Sequence, residues 1–191
     1  MGDAVSDVLF GEVAPSGKLT VTMPRALGQV PIYYNHLNTG RPVEEGATNY
    51  RKYASNYIEV RNDPLYPFGY GLTYTTFNYS DITLNSHTMA ADGSVEASVT
   101  VTNTGSREGD EVVQLYIHDL AASIARPVKE LKGFRRIHLK AGESKQVSFT
   151  ITREQLSFYN QELKYVCEPG DFDIMIGSDS QHVKTARLTV N

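Results

Sequence analysis

The stretch SVEASVTVTNTGSREGDEVVQLYIHD, residues 94–119, decides the fold. Its first eight residues alternate strictly. Val95, Ala97, Val99 and Val101 fall on one face of a strand, and Glu96, Ser98 and Thr100 on the other. NTGSREGD, 103–110, then supplies turn residues, whose short polar side chains bond local backbone and whose glycines accept unusual dihedrals. EVVQLYIHD, 111–119, resumes with β-branched and aromatic residues. Two strands separated by a turn signal establish a period of two, which a helix cannot use.

Working outward, the same pattern repeats toward the C-terminus. KELKGFRRIHLK, 129–140, is followed by the turn AGES and by KQVSFTIT, 145–152, with Val147, Phe149 and Ile151 inward. REQLSFY, 153–159, has room for a single helical turn. LKYVC leads to the turn EPG, after which DFDIMIG alternates on Phe172, Ile174 and Ile176, and TARLTV on Ala186, Leu188 and Val190. Seven or eight short strands between turn signals predict a mainly β chain with an immunoglobulin/fibronectin type III-like β-sandwich from about Thr75 to Asn191. The expected core includes Val99, Val101, Leu115, Ile117, Phe134, Val147, Phe149, Phe172, Ile174 and Ile176.

Upstream the character changes. GDAVSDVLFG, 2–11, puts Ala4, Val5, Val8 and Leu9 on one helical stripe, with Gly11 placed to end it. PSGKLTVTMP, 15–24, reads as a turn, a short strand and a proline stop. One helix and one strand cannot bury both their faces, so residues 1–24 read as a remnant of α/β architecture that needs a partner. QVPIYYNHLNTGRPVEEGATNYRKY, 29–53, has no regular period, and nine of the twelve tyrosines lie between Tyr33 and Tyr79. Rings with a polar tip favour interfaces, so residues 25–74 are expected to form an extended arm laid across another surface. The sandwich then occupies 75–191.

PLYPFGYGLTYTTFNYS, 64–80, stands where arm meets sandwich. Tyr33, Tyr34, Tyr66, Phe68, Tyr70 and Tyr74 are assigned to interdomain packing, with Gly69 and Gly71 letting the backbone turn among the rings. If the helical stripe and the arm pack on the sandwich, the chain is self-contained; if they lie exposed, it is part of a larger assembly.

Composition removes several function classes. A net charge of -4 gives no basic field for nucleic acid or anionic lipid. No apolar run approaches the ~20 residues that span a bilayer. MGDAVSDVLF lacks the basic and apolar regions of a signal peptide, so the chain either stays in the cytoplasm or lacks its natural N-terminus. Cys167 is the sole cysteine and the five histidines show no ligand spacing, so neither metal nor cofactor is expected. The basic cluster Lys129, Lys132, Arg135, Arg136 and Lys140 reads as a solvated strand face, and Glu44 and Glu45 as a solvated loop. Asn35, His36 and Arg41, in a loop that also holds Asn38, are candidates for a substrate rim, since planar donors and acceptors suit a hydroxyl-bearing ligand. The competing account, which the residues favour, is a loop whose polar groups cap its own backbone.

Six ordered motifs carry a resemblance. LFGEVAPSGKLTVTMPR, QVPIYYNHLNTGRP, PLYPFGYGLTYTTFNYS, VTVTNTGSREGDEVVQLYIHD, RPVKELKGFRRIHLKAGESKQVSFTIT and EPGDFDIMIGSDS together resemble the C-terminal part of bacterial glycoside hydrolase family 3 β-glucosidases. The resemblance implies a parent with a (β/α)8-type barrel, an α/β sandwich and a fibronectin type III-like domain. This chain then corresponds to the end of the second and the whole of the third. It implies the barrel and α/β sandwich as partners, and a β-glucoside or oligosaccharide met through the parent. The family is often periplasmic or secreted. A retaining glycosidase needs two carboxyl groups about 5–5.5 Å apart. The family's nucleophile is an aspartate in an SDW-like motif of the barrel, and this chain has no tryptophan. Its acid/base glutamate lies upstream of the matched region, so no residue here inherits either role. The resemblance thus implies a non-catalytic portion that braces the catalytic domains. The alternative is a free-standing β-sandwich module that binds carbohydrate or protein.

Overall fold

The computed structural model describes residues 2–43, 47 and 50–191. Glu44 and Glu45 fall outside the described residues.

Among the described residues, eleven strands, two short α-helices and a 3-10 turn at Leu27–Gln29 make up the regular structure. The long strands are β4 (Ser94–Asn103), β5 (Gly109–Asp119), β6 (Glu130–Leu139), β7 (Ser144–Thr152), β10 (Gly170–Gly177) and β11 (Val183–Val190). Three short ones precede them: β1 (Phe77–Tyr79), β2 (Thr83–Leu84) and β3 (Thr88–Met89). The first sheet is built on β4, with β7 along one edge and β1 and β2 sharing the other. The second runs β3-β11-β10-β5-β6. All pairs are antiparallel except β11 with β3. The expected sandwich of seven or eight strands therefore has nine, because the two-residue strands β2 and β3 are too short to show a period.

Alternation sets the core as the sequence predicts. Val95, Ala97, Val99 and Val101 of β4 meet Val113, Leu115 and Ile117 of β5 and Phe172, Ile174 and Ile176 of β10 in one buried cluster. Phe134 is the exception among the expected core residues, at 67% exposed. It pairs with Gln114 in register, which puts it on the outer face of the edge strand β6. The inner positions there go to Gly133, which lies against the Phe149 ring, and to Arg135, whose guanidinium lies over that ring at 5.7 Å. The helical turn expected in REQLSFY is α2 (Arg153–Leu156), and β8 (Phe158–Tyr159) with β9 (Tyr165–Val166) forms a separate hairpin.

Upstream, the helix read from GDAVSDVLFG is α1 (Gly2–Leu9), and none of its residues is buried. The strand expected in KLTVTM is reduced to a single bridge between Met23 and Tyr66. That segment finds one neighbour where a sheet strand needs a continuous one.

The basic cluster splits between faces. Arg136 pairs with Asp110, Lys132 with Glu130, and the Lys129 ammonium donates to the Ser180 carbonyl at 2.6 Å. Among the described residues no helix is long and apolar enough to cross a membrane.

Candidate functional site

The region that differs from a plain sandwich is the seam where residues 15–75 cross the five-stranded sheet. On β5 the odd positions 113, 115 and 117 face the core, so Gln114, Tyr116 and His118 point to the outer face. On a bare sheet that face meets water. Here Gln114 and Tyr116 are fully buried, because the arm covers them.

The cover is built from three attachments. Tyr34 stacks on Phe68 at 4.4 Å and meets the Tyr116 ring edge-on at 5.7 Å, joining two distant parts of the arm to the sheet. Gly69 passes directly over Gln114, whose amide nitrogen donates to the carbonyls of Gly69 at 3.1 Å and Ser178 at 2.6 Å. The Tyr116 hydroxyl donates to the Gln114 amide oxygen at 2.5 Å, so that side chain is satisfied on both ends. Gly69 has φ +82, and a Cβ there would stand 2.1 Å from the Gln114 amide oxygen. Only glycine fits both the dihedral and the space.

The second attachment is ionic. The Lys18 ammonium reaches Glu111 at 3.1 and 3.3 Å, and the Tyr79 hydroxyl donates to the same carboxylate at 3.0 Å. Glu111 is 3% exposed and sits on the inner face of β5 at the end of the core. Burial pushes its pKa up, and the charge and hydrogen bond of Lys18 offset only part of that shift. Burial and the adjacent carboxylate push the Tyr79 phenol far above its ordinary value, which keeps it a donor.

The third is a clamp inside the arm. Buried Gln29 accepts from the Arg25 amide at 2.5 Å and donates to the Arg61 carbonyl at 2.7 Å. Asp63 accepts from Arg25 at 2.9 Å and Arg61 at 2.7 Å. Burial alone would raise the Asp63 pKa, but the two guanidiniums outweigh it and hold the carboxyl below its ordinary value.

Two clefts flank the seam. One, about 660 Å³, opens beside Lys18, Tyr70, Tyr79 and His182. The other, about 410 Å³, lies between the arm and the outer face of β5 and β10, with Tyr33, His36, Asn38, His118 and Met175 among its walls. Of the rim candidates, His36 lines this second cleft. Asn35 and Arg41 are exposed outside it, and Arg41 donates to the Tyr53 carbonyl at 3.4 Å. The assigned packing rings divide: Tyr34, Phe68 and Tyr70 are half-buried in the seam, while Tyr33, Tyr66 and Tyr74 remain exposed. Tyr74 donates to the Val8 carbonyl at 2.6 Å, the point where α1 touches the arm. The discriminating features thus separate, since the arm packs on its own sheet and the stripe of α1 does not.

Gln114, Gln29 and Lys18 were not singled out by the sequence. A signal existed for the first: VVQLYI in β5 is nearly continuous and does not alternate, as expected of a strand covered on both faces. Lone polar residues in the irregular segment carry no comparable signal. Among the described residues no group of three His, Cys, Asp or Glu is placed to hold a metal.

Residues 1–74 match the family model described as the Glycosyl hydrolase family 3 C-terminal domain, and residues 111–180 that of the Fibronectin type III-like domain. A periplasmic β-glucosidase of Salmonella typhimurium is 58% identical over 96% of this chain, which spans 24% of that protein. A β-xylosidase of Formosa agariphila is 48% identical over 99% of the chain, corresponding to 25% of its own length. Among solved structures, the β-glucosidase of Listeria innocua in complex with gluconolactone superposes with a TM-score of 0.92 at 42% identity, over all of this chain and 26% of that one. The chain therefore spans about a quarter of the relatives it matches.

Proposed function

We propose that this chain, which belongs to the C-terminal region of glycoside hydrolase family 3, is the non-catalytic C-terminal portion of a β-glucosidase-type hydrolase. Its role is to brace the catalytic domains during carbohydrate breakdown. The observation that carries this reading is the unburied apolar row of α1 and the residues after it. Leu9 is 72% and Phe10 82% exposed, and Val5 and Val13 are exposed beside them. An eight-residue helix is marginal in water without a packed face, so its stability comes from a surface it docks on. The barrel and α/β sandwich of the parent supply that surface, and the exposed Tyr33, Tyr66 and Tyr74 extend the contact. The chemistry belongs to that parent. A relative named for xylosides, at 48% identity, falls between relatives named for glucosides at 58% and 43%, which supports placing the choice of sugar elsewhere in the enzyme.

A second reading, a self-standing module that binds carbohydrate or protein, is favoured by the arm's packing on its own sheet through Tyr34, Phe68 and Gln114. One experiment separates the two. The chain is mixed with the Salmonella relative lacking the quarter that this chain matches, and amide exchange is followed. Bracing predicts association with new protection of residues 2–13, and no hydrolysis of nitrophenyl β-glucoside by the chain alone. Turnover by the purified chain, or no association, would refute it.

A further inference from the structure

We propose that the β8–β9 hairpin is a self-association surface on which a second copy of this chain docks. The ribbon has two strands, with Phe158 opposite Val166 and Tyr159 opposite Tyr165. Side chains alternate across it, so the two pairs stand on opposite faces. The Phe158 side is closed, since that ring is buried and lies beneath the Arg126 guanidinium at 4.7 Å. The other face is bare. Tyr159 and Tyr165 are both exposed, with ring centres 5.1 Å apart. A two-stranded ribbon is marginal in water until something packs on it.

The tip carries the inference. Asn160 builds the turn: its carbonyl accepts from the Leu163 amide at 3.0 Å, and its side-chain oxygen accepts from the amides of Glu162 and Lys164, each at 3.0 Å. This geometry sets Leu163 at φ +59, a left-handed conformation that glycine takes without strain and leucine does not. The same leucine is 82% exposed. Burial within the chain offsets little of that strain, so the use of the side chain lies outside it.

Two features select a second copy as the occupant. Glu162 and Lys164 flank the leucine, equally exposed at 69%, and pair with each other at 2.7 Å. A two-fold contact through the tip brings the acid of each copy to the base of the other, the self-complementarity that an isologous interface requires. The place in the fold agrees. The hairpin lies just beyond Thr152, which pairs with Ser94 at one end of β4. The helix α1 is tied through Tyr74, next to the Thr75 hydroxyl that bonds Asn103 at the other end, roughly 30 Å away along the strand. A partner engaged by α1 does not thereby cover the hairpin, so the inference is separate from bracing. Three apolar side chains and two charges make a contact smaller than the roughly 1,200–2,000 Å² of stable interfaces, so the dimer is weak and reversible.

The test is sedimentation equilibrium of the chain from about 10 to 500 µM, where a monomer–dimer equilibrium is expected. Leu163→Gly relieves the strain, so the melting temperature of the dilute chain should hold or rise while association weakens about tenfold. Lys164→Glu sets acids against acids across the two-fold and should weaken association too. Adding Glu162→Lys should restore it, because the exchanged pair is again self-complementary. The proposal is overturned by a chain that stays monomeric throughout, by a dimer that Leu163→Gly leaves unchanged, or by a charge-exchanged variant as weak as Lys164→Glu. A melting temperature lowered by Leu163→Gly would overturn it as well, by giving the leucine a use inside the chain. So would loss of association with the truncated Salmonella relative in Leu163→Gly, which would assign the tip to the parent. Bracing survives the failure of self-association, since it is read from new protection of residues 2–13.

Discussion

Lys18→Met isolates the ionic attachment of the seam. Methionine keeps the apolar stem and removes only the ammonium. Glu111 is then a carboxylate with 4% side-chain exposure, left with Tyr79 as its donor. Removing one partner of a buried pair costs about 3–5 kcal/mol. Protonation sets a ceiling, because a stranded carboxyl can neutralise itself. From its ordinary value of 4.5 to pH 7.5 is 3 units, or about 4 kcal/mol at roughly 1.4 kcal/mol per unit. A loss of about 3 kcal/mol at pH 7.5 follows, a fall of roughly 6–12 °C in melting temperature for a chain of this size. The pH dependence has a definite sign. A carboxyl whose folded pKa is raised binds its proton more tightly when folded, so stability falls as pH climbs from the ordinary value through the raised one. Lys18→Met raises that pKa further, so its cost grows with pH across the window. At pH 5 the ceiling drops to about 0.7 kcal/mol, half a unit's worth. Urea unfolding at both pH values measures this. Adding Glu111→Gln should restore most of the pH 7.5 loss. An unchanged midpoint at pH 7.5, or a larger loss at pH 5, would refute the ionic account.

Phe149→Ala should cost about 3–5 kcal/mol, the range for a core phenylalanine, read as a shift in the urea midpoint. Gly69→Ala forces a side chain onto the Gln114 amide at positive φ. It should cost about 1–3 kcal/mol and expose Tyr116, seen as a change in tyrosine fluorescence. Asp63 has a lowered folded pKa, so its contribution is present above the ordinary carboxyl value of 3.8 and is lost as pH falls through the lower folded one. Asp63→Asn should accordingly speed amide exchange at Gln29 and Leu65 at neutral pH while leaving β4 and β5 unchanged. In the wild-type chain the amides of Leu19, Met23 and Gly69, which bond carbonyls within the seam, should exchange more slowly than those of α1.

The sandwich was legible because a period of two constrains every residue of a strand at once. Val95 to Val101 cannot slip by one place without moving four apolar side chains into water. Phe134 shows where the rule fails. In KELKGFRR the pattern has no clean alternation, and a register shift opposite Leu115 and Tyr116 breaks the counting between neighbouring strands. Glycine and arginine then hold the inner positions beside Phe149, which no hydrophobic scale anticipates.

The arm was legible in composition and illegible in geometry, and the difference is physical. Its tyrosines declare that surface will be buried, but a ring without periodic neighbours carries no direction. Tyr33 and Tyr34 are adjacent, yet Tyr34 is sandwiched against Phe68 and Tyr116 while Tyr33 opens onto the cleft. What fixes that choice is the partner face, where Gln114 and Tyr116 occupy the outward positions of β5 and hold Gly69 close. The arm therefore has two sides with different fates. One is closed on this chain's own sheet, which accounts for the buried glutamine and the unalternating VVQLYI. The other runs from the stripe of α1 through Tyr66 and Tyr74 and stays open, so the arm is ordered on its own sandwich while that side remains free of it.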